Sequence, residues 1–292
     1  MCIRDRLYTI HYKRHGAVFP AVYVLMESRS QETYQRLFEA LKTALPVRRF
    51  NGLVSTDFEL AATNVFRRTF PRTQEAYCFF HYSQSLWRKM QKLGLAAQYL
   101  ADENADIRKE FHSCLSLAFV EPTYVDQAFR QLRRAVSEEM RPFLNYIGRT
   151  YVRTTATRVP RFPIPTWNVY TRTLEGIDRT NNNVEAWHRR LNALVGKKHP
   201  NLYEFLNALK REEQYTESQR EDHEGGIPGP KRRKKYIQND ERILSIVLRF
   251  NTFVEEDNET GDDEEGEEED QWRRGMLSYL SRLGFSARAT LE

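Results

Sequence analysis

The sequence predicts an α/β domain that continues into a helical segment and a charged, mostly disordered tail. In the first 80 residues, short runs rich in Val, Ile and Tyr alternate with stretches of helical period, as in α/β proteins. Residues 95–147 show helical spacing alone, and residues 216–270 have too little hydrophobicity to order themselves. With 40% hydrophobic and 12% aromatic residues, the 292-residue chain can still bury a core.

The individual elements follow from the hydrophobic period and from the turn residues. The basic turn of residues 13–16 separates two Val- and Tyr-rich runs and predicts that they pair as strands. Strands are predicted over residues 7–12, 17–26, 53–55 and 76–80. Helices are predicted over residues 31–45, 58–66, 83–93, 182–195 and 201–214, with a short one at 239–250. Three prolines predict an extended crossing over residues 150–167.

The chain is basic apart from one acidic run. Residues 255–270 carry twelve carboxylates and no basic residue, so the rest of this chain of net charge +5 carries +17. A body this basic suits a polyanionic partner, and the acidic run is typical of a solvated or self-shielding segment. A basic surface that only keeps the protein soluble is the alternative.

Several classes of protein lack support in the sequence. No apolar run approaches the ~20 residues that span a bilayer, and the first residues contain no signal-peptide hydrophobic region. Three cysteines, at positions 2, 78 and 114, do not make a disulfide framework, which fits a reducing compartment. The motifs of phosphate-binding loops, serine hydrolases and HExxH metalloproteases do not occur. We therefore expect neither a secreted nor a membrane protein.

Asp57 is the first candidate functional residue. It follows a short apolar strand and precedes a helix, at the kind of strand end where α/β proteins collect ligands and metals. Aspartate is also a favoured helix N-cap, so the position has a purely local explanation.

Glu185 is the second candidate. On the predicted helix it shares a polar stripe with His188, Arg189 and Asn192, beside an apolar stripe that includes Trp187. The alternative is again local, because Asn182 and Glu185 have the spacing of a capping box.

Two further motifs are short. Cys78 and His81 have the spacing of half a metal site, but no second half stands at a fixed spacing, so a buried thiol and a hydrogen-bonded histidine are the commoner outcome and zinc is not favoured. Lys231, Arg232, Arg233, Lys234 and Lys235 form a cationic run between flexible segments, which is typical of a nuclear import signal or a phosphate-binding arm. A solvated charge run explains the same residues.

Five segments taken together resemble a known family. They are residues 7–11, 19–26, 55–62, 78–84 and 181–188, and their order and spacing extend over about residues 7–210. The combination is similar to the Mutator-like element transposases, whose domain is called the MULE transposase domain.

The resemblance implies an RNase-H-like core with an Asp-Asp-Glu triad that binds Mg²⁺ or Mn²⁺ and transfers phosphoryl groups on DNA in the nucleus. Asp57 matches the second aspartate and Glu185 the glutamate, while Cys78 and His81 match a family signature whose role we leave open. The implied division is residues 7–94 for the first part of the core, 95–165 for an all-α insertion with the crossing, 166–215 for the return to the core, and 216–292 for the tail.

One departure from the family pattern matters. The family's first aspartate lies in an Asp-Gly-Thr strand, and this sequence contains no Asp-Gly-Thr; Asp5 lacks that context. We therefore expect a transposase fragment that is inactive as it stands. A transposase-derived DNA-binding or regulatory protein and an RNase-H-like nuclease are the alternatives, and a homo-oligomeric state is left open.

Overall fold

The computed structural model describes residues 7–44, 52–101, 105–153, 159–197, 199–227, 233–259 and 265–288. Over these residues the protein is mixed α/β and mostly helical. The strands are β1 (Leu7–Arg14), β2 (Ala17–Leu25), β3 (Leu53–Thr56) and β4 (Gln74–Tyr77). The α-helices are α1 (Gln31–Ala44), α2 (Leu60–Thr69), α3 (Phe79–Lys92), α4 (Ala96–Leu100), α5 (Ala105–Ser116), α6 (Val125–Ala135), α7 (Arg141–Ile147), α8 (Ile164–Trp167), α9 (Tyr170–Leu174), α10 (Asn182–Val195), α11 (Leu202–Glu224), α12 (Lys234–Glu259) and α13 (Glu265–Arg288).

The chain divides into two compact units that are interleaved in sequence. The first unit contains residues 1–54, 59–74 and 181–232, and the second contains residues 55–58, 75–180 and 233–292. This division differs from the predicted segments, because residues 75–94 pack with the helices that follow them and the last 60 residues join the same unit. None of the described helices is both long enough and apolar enough to cross a membrane.

In the first unit, β1 and β2 form the predicted hairpin. The strands are antiparallel, and Arg14 pairs with Ala17 across a two-residue turn. The turn residues His15 and Gly16 both have positive φ, +47° and +86°. A two-residue turn with two left-handed residues matches the right-handed twist of the strands, and glycine takes this conformation without strain.

Two apolar clusters hold the first unit together. In one cluster, Tyr34 and Phe38 of α1 pack with Val65 of α2, so the two helices share a core. In the other, Leu7 of β1 packs with Trp187 of α10 and with Phe205 of α11. The second cluster fixes the helix that carries Glu185 against the hairpin.

Strands β3 and β4 form the second sheet, and they run in the same direction. The amide of Gln74 donates to the carbonyl of Gly52, and the amide of Cys78 donates to that of Thr56, so the partner advances along both strands together. The predicted strand over residues 76–80 is shifted: β4 ends at Tyr77, and Phe79 begins α3. Phe79 is fully buried, and it packs in the core as the first residue of a helix and not as part of an extended strand.

The second unit is built around a buried aromatic core. Tyr82 of α3 stacks on Trp167 of α8 with ring centroids 5.1 Å apart and the planes nearly parallel, and Tyr151 contacts both rings. The indole Nε1 of Trp167 donates to the carbonyls of Tyr151 and Phe162, both at 3.1 Å. Residues 150–167 were predicted as an extended crossing. The structure instead has helical turns at the two ends of this segment, Gly148–Val152 and Ile164–Trp167.

The C-terminal region differs from the prediction of a mostly disordered tail. Helix α11 continues to Glu224, α12 and α13 pack on each other, and α13 also packs on α5. Phe250 of α12 and Leu280 of α13 are buried, and the Tyr279 hydroxyl donates to the carbonyl of Phe119. The sequence predicted only parts of α11 and α12, residues 201–214 and 239–250, and averaged hydrophobicity missed the rest because apolar residues at helical spacing are diluted there by charged neighbours.

We predict that Leu280→Ala lowers the free energy of unfolding by about 2–5 kcal/mol, because it opens a cavity in a core that includes α13. The matched control is Leu248→Ala on α12, whose side chain is 58% exposed and which should change stability by less than about 0.5 kcal/mol. Urea unfolding followed by circular dichroism measures both variants. Equal, small effects of the two substitutions would mean that α13 does not contribute to the fold.

Candidate active site

Asp57 lies directly after β3, and its side chain is 53% exposed. The N-cap of α2 is Glu59 and not Asp57, so the local capping explanation for Asp57 is wrong. The next residue, Phe58, is anchored in the aromatic core, where its ring stacks on Tyr77 at 4.4 Å and meets Phe162 edge-on at 4.8 Å. The strand end is thus held in place while the carboxylate beside it reaches solvent.

The parallel pairing of β3 and β4 brings His81 to Asp57. Parallel strands end at the same edge of a sheet, and the bond from the Cys78 amide to the Thr56 carbonyl (3.1 Å) fixes that edge. Helix α3 begins immediately after Cys78, so His81 lies in its first turn. Nδ1 of His81 is 3.0 Å from Oδ1 of Asp57. The arrangement joins two of the predicted site residues.

The surroundings of His81 favour its charged form. Burial lowers its pKa, but hydrogen bonding and electrostatic interaction with Asp57 and Cys78 outweigh burial and raise the pKa to about 10. The ring is therefore an imidazolium at neutral pH, and it forms an ion pair with the Asp57 carboxylate.

Cys78 stands behind this pair. It occupies the N-cap position of α3 and is fully buried. Among the described residues, no group of three or more His, Cys, Asp or Glu side chains is arranged to hold a metal ion. A buried arginine lies nearby: Arg172 donates from Nη2 to the carbonyl of Tyr77 at 2.9 Å, and burial lowers its pKa to about 10. No sequence pattern had pointed to Arg172.

Glu185 lies in the first turn of α10 and is half-buried. The N-cap of α10 is Asn181, which makes no side-chain capping bond, so the capping-box explanation through Asn182 is wrong. As predicted, Trp187 and Leu191 are buried on the apolar stripe of this helix. Glu185 belongs to the first unit and Asp57 to the second, so their approach to a shared metal site stays a prediction.

Two histidines near Glu185 meet at one hydroxyl group. Oγ1 of Thr9 on β1 lies 3.1 Å from Nε2 of His11 and 3.3 Å from Nε2 of His188. Burial and the nearby His188 lower the pKa of His11 to about 4, so His11 is neutral at pH 7. Sequence reasoning placed His188 on the polar stripe of α10 but missed Thr9 and His11, since their alternate positions on β1 looked like ordinary strand residues.

An ion pair between the partly exposed Arg190 of α10 and the buried Glu212 of α11 joins these two helices. Glu212 is almost completely buried, and Nε of Arg190 donates to both of its carboxylate oxygens, at 3.0 and 3.1 Å. The Arg190 guanidinium also lies 4.7 Å from the ring centre of Tyr215. Two-point contact of this kind fixes the rotation of α10, and with it the direction in which Glu185 faces.

The remaining predicted residues are only partly described. Arg233, Lys234 and Lys235 are exposed at the start of α12, whereas Lys231 and Arg232 lie outside the described residues. Asp5 also lies outside them.

Comparison with known proteins gives a match over the N-terminal part of the chain. Residues 6–85 match the family model of the MULE transposase domain. The matched segment includes Asp57, Cys78 and His81, and it confirms the resemblance over that part; Glu185 lies beyond it. No curated protein and no solved structure matches the chain.

We predict that His81 titrates near pH 10, about 3.5 pH units above an unperturbed histidine, and that Asp57→Asn lowers this pKa. A histidine whose pKa is raised on folding stabilises the fold fully below about pH 6.5, and this contribution is lost as the pH rises through about 10. Histidine NMR over this range measures the pKa, and urea unfolding measures stability. His199→Gln, at an exposed position, is the control. A wild-type His81 that titrates near 6.5 contradicts the ion pair.

Proposed function

We propose that this chain, whose residues 6–85 match the MULE transposase domain, is part of a DDE-type DNA transposase of the Mutator-like class. The observation that carries the proposal is the exposed carboxylate of Asp57, held at the edge of a parallel strand pair inside the matched segment. A structural carboxylate at this place would be expected to cap α2, and Asp57 does not.

In the proposed reaction, Asp57 and Glu185 would hold Mg²⁺ or Mn²⁺. Both side chains offer hard oxygen donors, and neither is fully buried, so the donor chemistry fits these ions. Divalent ions held there would supply electrostatic stabilisation of the charge that develops on phosphodiester oxygens. The protein's own contribution is to orient the two carboxylates: His81 holds Asp57 by an ion pair, and Arg190 fixes the helix of Glu185 through Glu212.

We further propose that these elements belong to an RNase-H-like core. Within the described residues, β1 pairs only with β2 and β3 pairs only with β4. An RNase-H-like sheet would need one more strand between β1 and β3, and in the family that strand carries the first aspartate. The sequence contains no Asp-Gly-Thr, and on this ground we propose that the 292-residue chain is inactive by itself.

The proposed partner is DNA, at transposon ends and target sites, and the proposed location is the nucleus. The +17 charge outside residues 255–270 supports a polyanionic partner, and the exposed cations Arg233, Lys234 and Lys235 support an import signal. A non-catalytic DNA-binding or regulatory protein derived from a transposase is the second candidate, and the absence of Asp-Gly-Thr from the sequence favours it. A nuclease on the same fold is the third.

We predict that Asp57→Asn and Glu185→Gln each weaken Mn²⁺ binding by about tenfold or more, since losing even a group that merely orients a metal ligand costs this much. If the two carboxylates share one site, the loss of Mn²⁺ affinity in the double variant should differ from the sum of the two single losses. Isothermal titration calorimetry measures this, with Asp106→Asn at an exposed carboxylate as the control. Unchanged binding in both single variants, or fully additive losses, contradicts the shared site.

The proposed inactivity is tested with end-labelled duplex DNA in Mg²⁺ or Mn²⁺. We predict no metal-dependent cleavage by the 292-residue chain, because two of three carboxylates do not fix both ions in line with a phosphate. Cleavage that disappears with Glu185→Gln would contradict this prediction, and it would show that another residue, Asp5 being the first to examine, completes the triad.

A further inference from the structure

Helix α3 carries basic side chains near both ends and no acidic ones. Its 14 residues include Arg88, Lys89, Lys92 and His81 and no Asp or Glu. This is unusual in a chain that has nearly as many acidic as basic residues, 40 against 45.

Three of these side chains lie on one face of the helix. Residues 81, 88 and 92 are separated by 7 and 11 positions, close to two and three full turns at 3.6 residues per turn. His81, Arg88 and Lys92 therefore form a stripe that extends about 16 Å along the helix axis. We call this the α3 stripe.

The α3 stripe begins at the candidate catalytic carboxylate. His81 contacts Asp57 at 3.0 Å, so the stripe starts where Asp57 reaches solvent and runs away from it along α3. Arg88 and Lys92 are both exposed. Within the described residues, neither side chain has a hydrogen-bond or ion-pair partner.

The local alternative is that these cations stabilise the C-terminal end of α3. Positive charge in the last turn of a helix is favourable by about 0.3–1 kcal/mol. Lys89 and Lys92 lie in that turn, and Lys89 is further held 5.3 Å from the ring centre of Tyr146. Arg88 lies before the last turn and has no such contact, so the helix dipole leaves it unexplained.

We propose that Arg88 and Lys92 bind phosphates of the DNA strand that is presented to Asp57. This inference rests on the proposed function and adds to it the surface that positions the substrate. Phosphates of one strand follow each other every 3.4 Å along the duplex axis, so a stripe of about 16 Å reaches several of them. Arginine and lysine are the side chains that most often neutralise phosphates, and contacts of this kind set the register of a protein on DNA without reading its sequence.

The test measures binding of a fluorescent duplex to the full chain by anisotropy, without metal, over a range of salt concentrations. Each neutralised phosphate contributes about 0.9 to the slope of log affinity against log salt. Arg88→Gln with Lys92→Gln should therefore reduce that slope by about 1.8. The matched control is Arg133→Gln with Arg149→Gln, which removes two exposed cations from other helices of the same unit and should leave the slope nearly unchanged.

A second variant separates charge from structure. Arg88→Lys with Lys92→Arg keeps both charges and should retain the wild-type slope, and thermal unfolding shows whether each variant is folded. An unchanged slope in the glutamine variant, or an equal loss in the control pair, overturns the inference while leaving the proposed function intact. A wild-type chain whose DNA binding does not depend on salt overturns the proposed function itself.

Discussion

The hydrogen bond from the Cys78 amide to the Thr56 carbonyl is the constraint on which the candidate site depends. It fixes the register of two parallel strands at their last residues, so that a loop carboxylate and the first turn of a helix come to the same sheet edge. Stacking of Phe58 on Tyr77 and burial of Phe79 hold in place the two segments that follow β3 and β4. Backbone pairing and aromatic packing thus place Asp57 at this edge, where its carboxylate meets His81.

Much of this arrangement could be predicted from the sequence. The hairpin followed from alternating Val and Tyr residues around a basic turn, and the bounds of α10 followed from its hydrophobic period. Asp57 became a candidate because it follows a predicted strand, and Cys78 and His81 because of their spacing, features that are visible in one dimension. Their spacing did not reveal that His81 would contact Asp57, because that depends on which way two strands run.

The predictions that failed depend on contacts between elements that are distant in sequence. Low average hydrophobicity predicted disorder after residue 216, yet a few well-spaced apolar residues such as Val247 and Leu283 are enough to bury one face of a helix. The Thr9, His11 and His188 group was missed for a related reason, since β1 and α10 are far apart in sequence. The ion pair between Arg190 and Glu212 was missed as well, because no sequence motif links the two positions. Glu212 shows that a charged residue on a polar helix can be one of the most buried side chains of its unit.

The interleaving of the two units has a consequence for synthesis on the ribosome. The first unit cannot be completed until residues 181–232 have been synthesised after residues 1–54. The second unit likewise needs residues 233–292 in addition to residues 75–180. At about 5–20 residues per second, the first strands would spend roughly 8–31 s before α10 begins to be made. During that time Leu7 and the other apolar side chains of the hairpin lack the cover that α10 and α11 later provide. During this interval the exposed apolar side chains of the hairpin make the nascent chain prone to aggregation.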